Sequence, residues 1–290
     1  MTHRFTPWQW SLAHGRVLTL GADSVIMGIL NATPDSFSDG GRFSDTGQAI
    51  DAARRMAAAG ARIIDIGGES TRPGAEPVDA ETEQTRILPI IEALAGEPDL
   101  LLSVDTYRAA TGRLAIEAGA HILNDVWGLH RDPAMAKVAA ETGAGLVIMH
   151  TGRERERAGD VVEDQFAFLG QSLQIAETAG VRHEQIVLDP GFGFAKDTGE
   201  NMELIARFVE LHELGYPLLV GASRKRFIGT VTGRDVDERD AATAATSVLL
   251  RLQGASIFRV HDVPMNRDAL IIADAMLAQR ASEPESEEQP

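Results

Sequence analysis

The stretch Ile63-Ile64-Asp65-Ile66-Gly67-Gly68-Glu69-Ser70-Thr71-Arg72-Pro73-Gly74 begins as an apolar run and ends in a polar loop punctuated by glycine. A short apolar run of this kind reads as a strand buried on both faces, the pattern of a parallel sheet covered by helices. Asp65 interrupts the run, and a carboxylate on such a strand costs several kcal/mol unless it is paired or employed. Gly67 and Gly68 let the chain turn, after which Glu69, Ser70, Thr71 and Arg72 set two charges and two hydroxyls at the strand's C-terminal end. An ordinary strand-to-helix turn takes about two to six residues. This loop is longer and carries an arginine at its tip, so a functional loop is expected.

Outward from that stretch, the same unit recurs from Val25 onward: apolar strand, polar loop, amphipathic helix, turn. The strands are expected at 25–30, 62–66, 100–104, 121–124, 145–149, 185–188, 217–220 and 256–260. Between them, Ile87, Ile90, Ile91 and Leu94 share one helical face, as do Ile50, Ala53 and Ala57 after Thr46, a candidate N-cap. Pro89 lies inside the former helix and is expected to kink it or remove one backbone bond. Eight strands alternating with eight helical segments in about 240 residues fit an α/β chain folded as a (β/α)8 TIM barrel. A doubly wound open sheet is the structural alternative, but it rarely needs eight strands so evenly spaced. The chain also lacks an early Gly-x-Gly-x-x-Gly.

Residues 1–24 carry Trp8, Trp10, Leu12, His14-Gly15, Val17, Leu18 and Leu20, an alternation around a turn that predicts an N-terminal β-hairpin able to plug the barrel's bottom. No change of composition divides residues 1–279, which are read as a single barrel domain. The acidic, apolar-poor tail 280–290 is expected to be disordered.

Composition narrows the function. With 44% hydrophobic and 24% charged residues the chain is globular, and no apolar run is long enough to span a membrane. Its first residues lack the apolar core of a secretory signal. The absence of cysteine excludes disulfides, thiolate metal sites and a cysteine nucleophile. These features lead us to expect a cytoplasmic enzyme or binding protein. The formal net charge of -16 disfavours a nucleic-acid partner. An anionic ligand would therefore need basic residues concentrated at its own site.

In such a barrel, polar residues at the C-terminal ends of the strands converge on the active site. Those ends carry Asn31, Asp65, Asp105, Asn124-Asp125, His150-Thr151, Asp189 to Phe194, Ser223 to Arg226, and Arg259 to Asp262. Taken singly, Asp105, Asn124 and Asp125 read as helix caps. His150 reads as a satisfied polar residue, and Arg153 to Arg157 as a solvated face. His183 has no evident partner. Eight independent caps nevertheless explain the set poorly. The set also divides by charge: Asp65, Asp105, Asn124 and Asp189 form an acceptor-rich side. Arg224, Lys225, Arg226, Arg259 and His261 form a basic side, where these barrels commonly hold a phosphate. An anion joined to a flat, donor-rich heterocycle satisfies both. No Ser/His/Asp triad, His-Glu-x-x-His or P-loop is present.

Gly28 to Gly41 resembles the first signature of dihydropteroate synthase, and Asp65 to Gly74 the second. Ser103-Val104-Asp105-Thr106, Asn124-Asp125, Leu188 to Phe194, Ser223-Arg224-Lys225 and Arg259-Val260-His261-Asp262 match in order, from about Val25 to the final helix. The resemblance implies a homodimeric (β/α)8 barrel joining p-aminobenzoate to 6-hydroxymethyl-7,8-dihydropterin diphosphate, a transferase of folate biosynthesis and a sulfonamide target. It places the pterin against Asp105, Asn124, Asp189 and Lys225, with Asp65 beneath. It places the diphosphate on Asn31, Arg72, Arg259 and His261, with Mg2+ held through Asn31, and p-aminobenzoate among Thr71, Pro73, Phe194 and Lys225. One segment departs from the family pattern: His150 leads into Thr151-Gly152-Arg153-Glu154-Arg155 where many members have a longer Met-rich or Gly-Thr-Pro segment. A methyltetrahydrofolate-dependent corrinoid methyltransferase shares such a barrel but holds no diphosphate, which the Ser-Arg-Lys and Arg-Val-His motifs disfavour. A non-catalytic pterin-binding paralogue would be expected to lack the first two loops.

Overall fold

A computed structural model of the chain describes residues 3–32, 42–69 and 77–282. Strands β1 (Trp8–Ser11) and β2 (Val17–Leu20) pair antiparallel. His14 and Gly15 take positive φ in the turn between them. Eight parallel strands follow: β3 (Val25–Asn31), β4 (Ile63–Gly67), β5 (Leu101–Asp105), β6 (Ile122–Asp125), β7 (Gly145–Met149), β8 (Ile186–Asp189), β9 (Leu219–Val220) and β10 (Ile257–Val260). Their order is β8-β7-β6-β5-β4-β3-β10-β9, and a parallel bridge from Leu188 to Leu218 joins the two ends into a barrel. The expected (β/α)8 fold with its N-terminal hairpin is the observed one.

The helices are α1 (Arg42–Ala58), α2 (Ala80–Leu94), α3 (Ala109–Glu117), α4 (Ala134–Thr142), α5 (Val161–Thr178), α6 (Thr198–Ala206), α7 (Arg226–Thr232), α8 (Asp240–Leu252) and α9 (Val263–Ser282). Two sequence expectations fail here. Thr46 lies inside α1 and does not begin it, and the short α7 is an additional helix between β9 and α8. Helix α2 continues through Pro89, capped by the Asp79 side chain on Thr82 N. Helix α9 runs to Ser282; the rest of the acidic tail, 283–290, lies outside the described residues.

Alternation along each strand sorts the core into two layers. Ile26, Leu30, Ile64, Leu102, Leu123, Ile148 and Leu188 pack outward with the helices. Met27, Ile63, Leu101, Ile122, Val147, Val187, Leu219 and Ile257 cluster instead with Trp10, Leu12, Leu18 and Leu20 of the hairpin. The hairpin is therefore the plug of the barrel's bottom, and Trp10 Nε1 donates to Gln185 O at 2.7 Å. His183, which had no evident partner in sequence, lies 4.8 Å from the Trp8 ring and 4.4 Å from that of Tyr216. Buried Arg251 on α8 donates to Gly21 O and Ala22 O at 3.1 and 2.7 Å. It also pairs with Asp274, which accepts from Ser24 N at 2.9 Å.

Candidate active site

Two residues further along the same strand faces, the inward positions change character. Ile63 is followed by Asp65, Leu101 by Ser103 and Asp105, Ile122 by Asn124, Val187 by Asp189, and Ile257 by Arg259. The period of two that buries the apolar plug thus delivers a ring of polar groups above it.

Asp65 is 1% exposed and sits at the centre of that ring. Ser103 Oγ donates to its Oδ1 at 2.6 Å, Asn124 Nδ2 to its Oδ2 at 3.0 Å, and Arg259 Nε to Oδ2 at 2.6 Å. The second prong of Arg259 reaches Asp105 Oδ2 at 2.7 Å. Burial opposes the Arg259 charge, but the Asp65 and Asp105 carboxylates hold its pKa above the usual range. Burial raises the Asp105 carboxyl, against the pull of Arg259 and helped by the neighbouring Asp65. The division into an acidic and a basic side is corrected at this point: Arg259 belongs to both. Arg224 is likewise engaged, bidentate on Asp240 at 2.7 Å through each nitrogen.

None of the three residues read singly as caps serves as one. Asp105 pairs with Arg259 and Asn124 with Asp65. Asp125 accepts from Trp127 N and Leu129 N, both at 2.8 Å, in a loop ahead of α4. Burial pushes the Asp125 carboxyl up to about 6.

Above the ring opens a cavity of about 1100 Å3, on whose wall lie Asn31, Asp105, Phe194, Lys225, Arg259 and His261. Ser223 Oγ lies 2.9 Å from His261 Nδ1 and accepts from the His261 backbone N–H at 3.2 Å. Lys225 Nζ donates to Phe192 O and stands 4.4 Å from the centroid of the Phe194 ring. Burial pushes the Lys225 ammonium down to about 7, opposed by Asp189.

Asp189 is 4% exposed. Its Oδ1 accepts from Gly191 N at 2.7 Å, and burial raises its pKa, with Lys225 opposing. Its Oδ2 comes within 3.8 Å of the place a Cβ would take at Gly221, a residue of the cavity wall. The missing side chain leaves that oxygen within reach of the cavity. Thr71, Arg72 and Pro73 lie outside the described residues.

The segment after β7 departs from expectation. Arg153 and Arg155 are only part-exposed, whereas Glu154, Glu156 and Arg157 face solvent, so the run is not one solvated face. Arg153 stands 4.6 Å over the Phe194 ring on the cavity wall. Sequence reasoning gave no individual role to Ser103 and Ser223, and Lys196 did not figure in it. Ser103 and Ser223 were visible as strand-end hydroxyls. Lys196 had only its place just after the Gly-Phe loop to mark it.

A family model described as pterin binding enzyme matches residues 27–261. The dihydropteroate synthase of Streptococcus pyogenes is 46% identical over 257 residues, covering 88% of this chain and 96% of that protein. The chain belongs to the dihydropteroate synthase family. The dihydropteroate synthase of Clostridium difficile, solved in the presence of pteroic acid, matches with a TM-score of 0.86 and 45% identity across 89% of this chain and 98% of its own. That of Xanthomonas albilineans, solved with 4-aminobenzoic acid, matches with a TM-score of 0.87 and 42% identity, covering 93% and 99%. Membership in the dihydropteroate synthase family accounts for a barrel mouth that carries fixed carboxylates and cations together.

Proposed function

We infer that this chain is a dihydropteroate synthase, a transferase that joins p-aminobenzoate to 6-hydroxymethyl-7,8-dihydropterin diphosphate and releases pyrophosphate. The observation that carries the reading is the Asp65–Arg259–Asp105 cluster at the floor of a cavity that also meets Lys225, His261 and Phe194, in a chain 46% identical to a dihydropteroate synthase.

The chemistry follows from the charges. The bond between the exocyclic methylene and the diphosphate oxygen breaks, and its electron pair leaves with pyrophosphate. The dihydropterin ring donates electron density to the methylene, and the arylamine nitrogen then forms the new C–N bond and releases a proton. Carboxylates already fixed near the ring favour the positive charge, and cations near the diphosphate favour the departing anion. This is preorganised electrostatics, and it needs no strong base. Asp105, Asn124, Asp189 and Lys225 bind the pterin in this reading, with Asp65 as the buried anchor of Arg259. His261, Arg259, Asn31 and Arg72 receive the diphosphate. Phe194 and Lys225, with Thr71 and Pro73, border p-aminobenzoate. Sulfonamides, which resemble p-aminobenzoate, compete for that place.

A magnesium ion fits the donor set. Among the described residues no group of three or more His, Asp or Glu side chains is gathered to hold a metal, so a protein-built cage is not its form. Asn31, half-buried on the cavity wall, offers a neutral oxygen of the kind that suits a hard cation retaining waters and phosphate ligands. Asn31 would hold Mg2+, which when bound supplies positive charge to the diphosphate.

Residues 1–279 act as one pterin-binding unit in this reading, paired as a homodimer. Leu249 on α8 and Met265, Ile271 and Ile272 on the adjoining α9 are 52, 42, 55 and 72% exposed, an apolar surface that favours self-association. A cytoplasmic site of action is part of the proposal, because a diphosphate ester does not cross membranes unaided. The decisive experiment is release of pyrophosphate when the purified protein receives the pterin diphosphate, Mg2+ and p-aminobenzoate. No release above the protein-free rate, from folded protein, overturns the assignment.

A further inference from the structure

Beside the groups assigned to the reaction lies a second charged network that the chemistry above does not use. It grips the loop after β8. Four consecutive carbonyls, from the last residue of β8 into that loop, are each held from a different place, and one of them by Lys225 of the site itself. His150 N donates to Asp189 O at 2.8 Å, Gln165 Nε2 to Pro190 O at 3.1 Å, Lys196 Nζ to Gly191 O at 3.0 Å, and Lys225 Nζ to Phe192 O. Gly191 takes φ +63°, and a Cβ there would stand 1.9 Å from His150 O, so only glycine fits.

Lys196 is 9% exposed, an unusual place for an ammonium group. Besides Gly191 O it reaches His150 Nδ1 at 2.8 Å. His150 is wholly buried, and its Nε2 lies 2.9 Å from Asp164 Oδ2. Asp164 also accepts from Arg155 Nη1 and Ala158 N, at 2.9 and 2.8 Å. Arg155 Nη2 stands 2.9 Å from the same Nε2, but the Lys196 ammonium can only donate, so Nδ1 is its acceptor and the imidazole proton sits on Nε2, facing Asp164. The lysine is therefore aimed by a histidine that is itself aimed by a carboxylate. Burial, with the Lys225 cation next, pushes the Lys196 ammonium down to about 7.

Gly191 connects this network to the active site. Its carbonyl is held by Lys196, while its N–H donates to Asp189 Oδ1 at 2.7 Å. We propose that Lys196, oriented by His150 and Asp164, is a positioning residue that fixes Gly191 and through it the direction of the Asp189 carboxylate toward the pterin. This rests on the reading of Asp189 as a pterin-binding residue.

The test is a double-mutant cycle on pterin binding, with 6-hydroxymethylpterin diphosphate as the probe in calorimetry. Lys196→Met keeps the length and removes the donor. It is expected to weaken pterin binding about tenfold, the loss expected of one charge-assisted hydrogen bond, while the KM for p-aminobenzoate changes less than about threefold. In an Asp189→Asn background the same substitution is expected to add little, because its effect passes through Asp189. A second readout is the 15N spectrum of His150, whose protonation midpoint, held down to about 4 by burial and by Lys196, should rise in Lys196→Met. If Lys196→Met does not fold, Lys196→Gln takes its place with a smaller expected loss. Equal losses of pterin and p-aminobenzoate affinity, full additivity with Asp189→Asn, or no pterin effect would each overturn the proposal. If Asp189→Asn alone leaves pterin affinity intact, the failure lies in the underlying reading of Asp189.

Discussion

Arg259 Nε lies 2.6 Å from Oδ2 of Asp65, a side chain with no exposed surface on the strand next but one in the barrel. The contact spans 194 residues of sequence. A buried carboxylate facing a guanidinium is costly to strip of its partner, because the remaining charge keeps its desolvation penalty. Arg259→Met is therefore expected to lower stability by about 3–5 kcal/mol in urea unfolding. Arg259→Lys, which keeps the charge but not the fork between Asp65 and Asp105, should retain more of the stability and still lose activity. Equal unfolding midpoints for Arg259→Met and wild type would show that the pair contributes nothing to folding.

The pterin clamp is tested at Asp189. Asn keeps the acceptor for Gly191 N but turns the second oxygen into a donor, which then faces a donor of the ligand. Pterin affinity should fall by roughly 2–4 kcal/mol, on the order of 30- to 1000-fold, with little change in melting temperature. A lower melting temperature with near-normal pterin affinity would make Asp189 a purely structural residue.

Asn31→Ala addresses the metal. Diphosphate binding and turnover should both drop while the circular dichroism spectrum stays that of wild type, and chelation with EDTA should reproduce the loss in the unaltered protein. Full activity after exhaustive chelation would remove Mg2+ from the scheme.

The histidine under the barrel gives a pH prediction. His121 Nδ1 accepts from Leu102 N at 3.1 Å, and burial, with Arg16 and His14 adding, pushes the imidazole from 6.5 down to about 4. A pKa lowered by folding makes the native state bind fewer protons, so this contribution is complete above pH 6.5 and lost as pH falls toward 4. His121→Asn, whose side-chain oxygen can take the Leu102 hydrogen bond, should flatten the decline of the urea midpoint between pH 7 and pH 4.5. An unchanged slope would mean that His121 does not titrate with unfolding.

The barrel was legible because its signal is periodic. Each strand alternates strictly, so the same parity that carried Met27, Ile63 and Leu101 inward also carried Asp65, Asp105 and Arg259, and the strand ends could be read as one site. The coupling of Arg259 to both carboxylates was not legible: reach and direction of a side chain have no trace in residue order. The Arg153 to Arg157 run misled for the same reason, since alternating charges describe a solvated face unless buried Asp164 and the Phe194 ring lie beneath it. Thr46 misled because a hydroxyl before an apolar face marks a helix start only when no helical turn precedes it. The plug was visible in Trp10, Leu12, Leu18 and Leu20, whereas the hydrogen bond from Trp10 to Gln185 depends on β1 meeting the helical turn just ahead of β8, far away in sequence.

The closure of the barrel has a consequence for how the chain is made. Strand β3 has β4 on one side and β10 on the other, so one of its edges waits for Ile257–Val260. Ser24, Gly21 and Ala22 wait similarly for Asp274 and Arg251. A nascent chain leaving the ribosome therefore carries an unsatisfied, apolar strand edge at β3 until β10 has been made. Such an edge is a template for wrong pairing. Truncations that remove β10 and α9 should thus yield aggregates rather than a smaller folded protein, and the interval before β10 is made is when this chain most needs a chaperone.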